Sequence, residues 1–186
     1  PWAVSIVCLG RKYGLPRPGI PPWIASFART RDYHDTIGES LRQIEGGLRE
    51  KFPGIGRIKA FVDYGPIAEK AWAVRAGLGF RGKNTLVIAP GAGSRFHLAT
   101  VLLEVALPAD SPTESKCGGC RRCLDACPTG ALYDAWRLDA ARCASCLTIE
   151  LKGEAPEENW HDVISVFGCD ACQNACPFNR AEGGYG

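Results

Sequence analysis

Ten cysteines occur among 186 residues, and nine of them lie between Cys117 and Cys176. Cys117-x2-Cys120-x2-Cys123-x3-Cys127-Pro128 has the spacing of a bacterial ferredoxin run. In such a run three close thiolates grip one cubane cluster, and the fourth, before proline, points to another. A second group, Cys169-x2-Cys172-x3-Cys176-Pro177, repeats this ending without a first cysteine. Its cluster therefore needs a ligand from elsewhere, and Cys143 and Cys146 stand between the groups as candidates.

Reach crosses the two sets. A short C-x2-C-x2-C loop wraps a cube, whereas a Cys-Pro cysteine is carried away toward the neighbouring cube on a departing helix. Cluster one is then Cys117, Cys120, Cys123 and Cys176, and cluster two is Cys127, Cys143, Cys169 and Cys172. Thr129-Gly130-Ala131 permits the tight turn into the departing helix. Zinc is the serious rival, since two C-x2-C pairs can form a four-thiolate tetrahedron. Zinc explains neither the third cysteine at x2 nor the two Cys-Pro endings, and disulfides between cysteines three apart are poor. Two clusters in one small unit imply a one-electron relay, with Cys8 and Cys146 as small buried apolar residues.

A relay needs a terminus, and few reactive side chains precede the cysteines. Asp63 ends a strand at Phe61-Val62-Asp63-Tyr64-Gly65-Pro66, where a carboxylate suits either an active-site edge or the cap of a helix beginning near Pro66. Gly77-Leu78-Gly79-Phe80-Arg81-Gly82-Lys83-Asn84 comes close to a phosphate-binding loop. However, Asn84 replaces the magnesium-binding hydroxyl, and the segment runs from helix into strand. Both departures argue against ATP, although Arg81, Lys83 and backbone amides can still hold an anionic group. His34 opens a helix and reads as a capping or packing residue, and His97 and His161 have no companion at ligand spacing.

The elements that must position these residues follow from periodicity. Trp2–Leu9 reads as a strand and Gly14–Pro22 as a loop. From Asp32 or Asp35, Ile37, Leu41, Ile44, Leu48 and Phe52 form one helical stripe that Pro53-Gly54 ends. Ile58–Val62 reads as a strand, and a helix opened by Pro66 runs to Gly77. Thr85–Ala89 reads as another strand, and Phe96–Ala106 is an apolar run of either type. Alternating strands and helices predict an α/β or α+β domain over residues 1–107 with a mixed sheet and flanking helices. A linker at 108–114, a ferredoxin-like two-cluster domain at 115–180 and a tail at 181–186 complete the predicted organisation.

The formal charge of +2 gives no nucleic-acid footprint by itself. No apolar run is long enough to span a membrane and no signal peptide is visible, so a cytoplasmic setting is expected. The chain lacks methionine and starts at Pro1, which reads as a trimmed or partial chain.

The sequence resembles the epoxyqueuosine reductases. The resemblance rests on Arg31-Asp32-Tyr33-His34, on Val62-Asp63 with Pro66 and Glu69, and on Ala76-Gly77-Leu78-Gly79-Phe80 through Gly82-Lys83-Asn84-Thr85-Leu86. It continues in Cys123–Ala131, Leu147–Gly153 and Phe167–Gln173. It implies two 4Fe-4S clusters, with Cys143 as the intermediate ligand, and a cobalamin held by the α/β domain. It also implies reduction of epoxyqueuosine to queuosine at the tRNA wobble position. Asp63 is similar to the family's proton donor, a role that calls for a raised pKa such as an apolar pocket supplies. Lys83, Asn84 and Thr85 match the segment lining the cobalamin pocket, as do Thr148 and Glu150, and Ser26 lies where some members carry a residue near the cobalt. The implied partners are tRNA and a low-potential donor such as flavodoxin or ferredoxin, acting on a monomer. Family chains extend further at both ends. A reductive dehalogenase and a plain ferredoxin module are the alternatives.

Overall fold

The computed structural model describes residues 2–13 and 17–180. The predicted tail at 181–186 and residues 14–16 of the predicted loop lie outside the described residues.

Three antiparallel strands, β1 (Ser5–Lys12), β2 (Ile58–Phe61) and β5 (Phe96–Leu103), form a sheet in the order β1-β5-β2. The register sets Val7 opposite Val101 and Ile58 opposite Leu103. The undecided run from Phe96 is thus the central strand, because its β-branched and apolar residues serve neighbours on both edges. Helix α1 (Tyr33–Lys51) lays the predicted stripe on one face, where Ile37 and Leu41 meet Ile58, Ala99, Val101 and Leu103. Asp32 caps α1 by accepting from the His34 backbone N–H at 2.8 Å.

Helix α2 (Glu69–Arg75) touches β1 and β5. It starts three residues later than Pro66 suggested, and Ala68 occupies its cap without a side-chain bond. Asp63 is therefore not the cap of this helix. The loop predicted at Gly77–Lys83 contains β3 (Phe80–Arg81), which pairs with β4 (Val87–Ile88) in a tight ribbon. Only these two residues of the predicted Thr85–Ala89 strand pair in this way, because Thr85 is in the turn with φ of 67°.

Beyond residue 115 the regular structure consists of short turns of helix. Helix α3 (Arg122–Asp125) and helix α4 (Ala171–Asn174) pack together, and each is followed by a Cys-Pro pair. The departing helix predicted after Cys127 is absent, because the chain passes through a turn at Pro128–Thr129 and has no regular structure from Gly130 to Tyr133. After Cys176 it continues as a single 3-10 turn, Pro177–Asn179. A five-residue π turn, Cys146–Glu150, follows Cys143.

The cysteine-rich segment is joined to the earlier residues at several points. The parallel part of the predicted mixed sheet is confined to an isolated bridge, Ile24 with Phe167. Gly168 is required beside it, since a Cβ there would come within 2.6 Å of Ala25 Cβ. Phe80, Ile88 and Cys176 share a buried apolar cluster, with Phe178 edge-to-face on Phe80. No helix among the described residues is long and apolar enough to cross a membrane.

Candidate active site and cluster sites

All ten cysteines are free thiols. Cys117, Cys120, Cys123 and Cys176 line one cavity of about 270 Å3. Cys127, Cys143, Cys169 and Cys172 line a second of about 340 Å3, together with Cys146. The structure thus brings the nine clustered cysteines together as a set of four and a set of five. The grouping follows from the α3–α4 packing. Each four-residue helix carries one cysteine into its own cavity, and the Cys-Pro bond after it turns the next cysteine toward the other.

The thiols repel proton loss collectively. Burial comes first and pushes the Cys172 thiol up to about 12, with further contributions from Cys169, Cys123, Cys143 and Cys127. Cys169 is raised by burial and then by Cys143 and Cys127, whereas Cys146 is raised by burial and then by Cys143 and Glu150. Of the two intermediate thiols lining this cavity, Cys143 is the one whose charge acts on both Cys169 and Cys172. Buried neutral thiols become ligands only as a cation displaces their protons.

The spacing of donors also bears on which metal fits. Around one zinc ion four thiolates sit about 3.8 Å apart, from Zn–S bonds of about 2.3 Å. Among the described residues no three His, Cys, Asp or Glu side chains converge on a single ion in this way. Four thiols spread around a cavity suit a cube whose irons each take one sulfur.

A further cavity of about 210 Å3 is lined by Tyr33, Asp63, Glu69, Phe96 and His97. It shares Tyr13, Phe27, Lys70 and Leu86 with the second cysteine cavity. The two spaces therefore adjoin, and the cleft leads from Cys127 and Cys172 past aromatic faces to Asp63.

Asp63 stands in the left-handed region with φ of 60°, a strained setting that its environment must hold. Its backbone N–H donates to Glu69 Oε1 at 3.3 Å, and Tyr33 Oη donates to its Oδ2 at 2.8 Å. His34 Nε2 lies 3.3 Å from the same oxygen, while His34 Nδ1 lies 2.8 Å from Asp32 Oδ1. The Asp63 side chain is 56% exposed, so it stands at the mouth of the cleft and not in an enclosed apolar pocket. Tyr33 stacks on His97 at 4.2 Å, and burial drives the His97 pKa down to about 4. Burial followed by the Asp63 carboxylate drives the Tyr33 phenol pKa upward, so Tyr33 remains a donor.

Sequence reasoning valued His34 as a cap and passed over Tyr33. The signal was available, because Asp32-Tyr33-His34 opens a helix beside the end of the Asp63 strand. Only the sheet order shows that the two converge.

The remaining predicted positions divide. Thr85 and Glu150 line the second cysteine cavity. Asn84 lines both cysteine cavities. Lys83 is placed elsewhere: its Nζ donates to the carbonyls of Gly118 at 2.6 Å and Cys120 at 2.9 Å, bracing the first cysteine loop. Ser26 N–H donates to Asp170 Oδ2 at 2.7 Å, and its buried hydroxyl has no partner. Thr148 Oγ1 donates to Ala144 O and accepts from Gly168 N–H, tying the π turn to the Phe167 segment.

Comparison with known proteins agrees with this geometry. Residues 116–179 match the 4Fe-4S double cluster binding domain, and residues 1–64 match Epoxyqueuosine reductase QueG, DUF1730. The epoxyqueuosine reductase of Gloeobacter violaceus is 42% identical over 191 residues, covering 98% of this chain and 59% of its own. That of Pseudomonas aeruginosa is 46% identical over 161 residues, covering 85% and 44%. Among solved structures, an epoxyqueuosine reductase with an epoxyqueuosine-modified tRNA-Tyr stem loop superposes with TM-score 0.84 at 36% identity, covering 98% of this chain and 50% of that one. The Bacillus subtilis enzyme, with an aspartate-bearing catalytic loop swung out of its active site, gives 0.83 at 36% identity over the same shares.

The fold and the thiol cavities define an iron–sulfur protein of the double 4Fe-4S class, joined to an α/β domain. More particularly, the chain belongs to the epoxyqueuosine reductase family. It spans about half the length of the curated relatives it matches.

Proposed function

We propose that this chain carries the catalytic half of an enzyme reducing epoxyqueuosine to queuosine in tRNA. The observation that carries the reading is the continuity of the cleft, from the five thiols of the second cysteine cavity at one end to Asp63 at the other. Removing an epoxide oxygen as water consumes two electrons and two protons, so the site must supply both.

Cys117, Cys120, Cys123 and Cys176 are the ligands of one cluster, and Cys127, Cys143, Cys169 and Cys172 those of the other. Cys117 and Cys120 of the first set flank the exposed Gly118 and Gly119, which suits electron entry from a donor such as flavodoxin or ferredoxin. The cleft fits a corrinoid in kind: Phe27 and Leu86 offer apolar faces, Thr85, Lys70 and Glu150 suit a rim of amides, and Ser26, next to Phe27 in the chain, keeps a buried hydroxyl without a partner. Bound there, clusters and cobalamin would supply single electrons and a low-valent metal able to act on an epoxide carbon.

The chain's own residues manage the protons. Asp63 delivers one to the oxygen as its bond to carbon breaks. Asp32 holds the His34 Nδ1–H, so Nε2 faces Asp63 either bare or protonated, and the 3.3 Å gap holds one transferable proton. His34 thus reloads Asp63, and the Tyr33 hydroxyl steadies the carboxylate that remains. The partner is tRNA, presented to the exposed mouth at Asp63 by an enzyme working as a cytoplasmic monomer.

The test is anaerobic reconstitution followed by metal analysis, cob(II)alamin titration by EPR, and assay on epoxyqueuosine-containing tRNA with a chemical reductant. About eight irons, a corrinoid complex and queuosine formation are expected. Zinc in place of iron, or iron without corrinoid binding, would overturn the reading.

A further inference from the structure

Asn84 is 4% exposed, yet its amide Nδ2 has no hydrogen-bond partner. A buried amide N–H left unpaired is costly, so the site is built for an acceptor that the protein chain does not itself supply. Asn84 lies on the wall common to the two cysteine cavities. Its other side-chain atom is committed: Oδ1 accepts from the Leu86 N–H at 3.3 Å. The amide cannot turn over without breaking that bond and setting one N–H against another.

The backbone holding Asn84 is fixed on both sides. Lys83 is tethered to the Gly118 and Cys120 carbonyls of the first cysteine loop, and Thr85 is held at φ of 67°. A Cβ at Gly82 would meet Asn84 Oδ1 at 2.6 Å and Ile88 Cδ1 at 2.5 Å, so the turn closes tightly around the amide. Ile88 in turn packs with Cys176, a thiol of the first set.

We infer that Asn84 Nδ2 donates a hydrogen bond to a sulfur of the cluster held by Cys117, Cys120, Cys123 and Cys176, and so raises that cluster's reduction potential. The inference rests on the double-cluster reading. Its physics is simple: reduction adds negative charge to the sulfurs, and an N–H donor in a dry site stabilises the reduced form more than the oxidised one. Asn84 is a tuning residue that favours acceptance of the incoming electron at the surface-facing cluster. It is not a proton donor.

EPR-monitored redox titration of the reconstituted chain tests this, in the wild-type background and in a Cys172→Ser background that isolates the first cluster. Asn84→Leu removes the donor. Asn84→Asp removes it too but keeps the Oδ1 bond to Leu86. Both are expected to make the first cluster at least tenfold harder to reduce, a fall of about 59 mV for one electron, with iron content unchanged. Unchanged midpoints at full iron content overturn the inference, as does a shift confined to the second cluster or to the corrinoid spectrum. Loss of iron from both variants, with the wild type loaded, also overturns it and makes Asn84 structural. Failure of the wild type to take up iron would instead sink the double-cluster reading.

Discussion

His34 Nε2 lies 3.3 Å from Asp63 Oδ2, joining the first turn of α1 to the end of β2 across 29 residues of sequence. Because Asp32 fixes the far side of the ring, the imidazole has one orientation and one role toward Asp63. Substituting Asp63→Asn should lower single-turnover epoxide reduction about 10²–10⁴-fold, the span of a positioned general acid. His34→Gln should lower it less, about tenfold at neutral pH, with the deficit narrowing in acid as solvent reloads Asp63 directly. A double variant no worse than Asp63→Asn would place both on one proton path. Equal activity of Asp63→Asn and wild type would remove the carboxylate from the chemistry.

The cysteine sets make a prediction by subtraction. Cys176→Ser and Cys117→Ser should each leave about four irons with the same residual EPR signal, although 59 residues separate the two positions. Cys127→Ser should instead leave the signal also left by Cys169→Ser. Cys146→Ser should keep about eight irons. Were Cys146→Ser to lose a cluster while Cys143→Ser kept both, the intermediate ligand would be reassigned.

Much of this was legible beforehand because thiolate chemistry demands fixed short spacings. The C-x2-C runs name their cavity before any fold is known, and the stripe Ile37, Leu41, Ile44, Leu48 fixes α1 in the same local way. What stayed hidden depends on pairing between distant segments. The strand state of Phe96–Leu103 follows from having β1 and β2 on either side, which no local pattern contains. The Lys83 contact with the Gly118 and Cys120 carbonyls is likewise long-range. Resemblance placed Lys83 beside the cobalamin, but its ammonium is spent on the first cysteine loop. The departing helix after Cys127 failed because Pro128 and Gly130, at φ of 60°, favour a turn over continued helix.

His97 gives the fold an acid limit. Burial and the nearby His34 and Arg11 lower its pKa to about 4 from an ordinary 6.5. The unfolded chain therefore binds the extra proton first. The contribution is fully present above pH 6.5 and is lost as pH falls toward 4. Urea midpoints should decline across that window in the wild type. In His97→Phe, which keeps the stack on Tyr33, they should decline less steeply. Parallel declines would show that other groups carry the effect.

Phe80 ties the stability of the β3–β4 ribbon to the first cluster. Its ring is fully buried, stands edge-to-face on Phe178, and shares an apolar cluster with Ile88 and Cys176. Phe80→Ala should cost about 3–5 kcal/mol, the usual range for deleting a buried aromatic ring. The cavity it leaves borders the segment carrying Cys176. That segment should loosen before the Cys169–Cys172 turn does, since the latter is held separately through Ser26 and Asp170. Iron release into a chelator should consequently become biphasic in Phe80→Ala, with the first-set cluster leaving early, while Phe80→Leu restores most of the lag. Simultaneous loss of both clusters would mean that the ring supports the whole domain and not the Cys176 side alone.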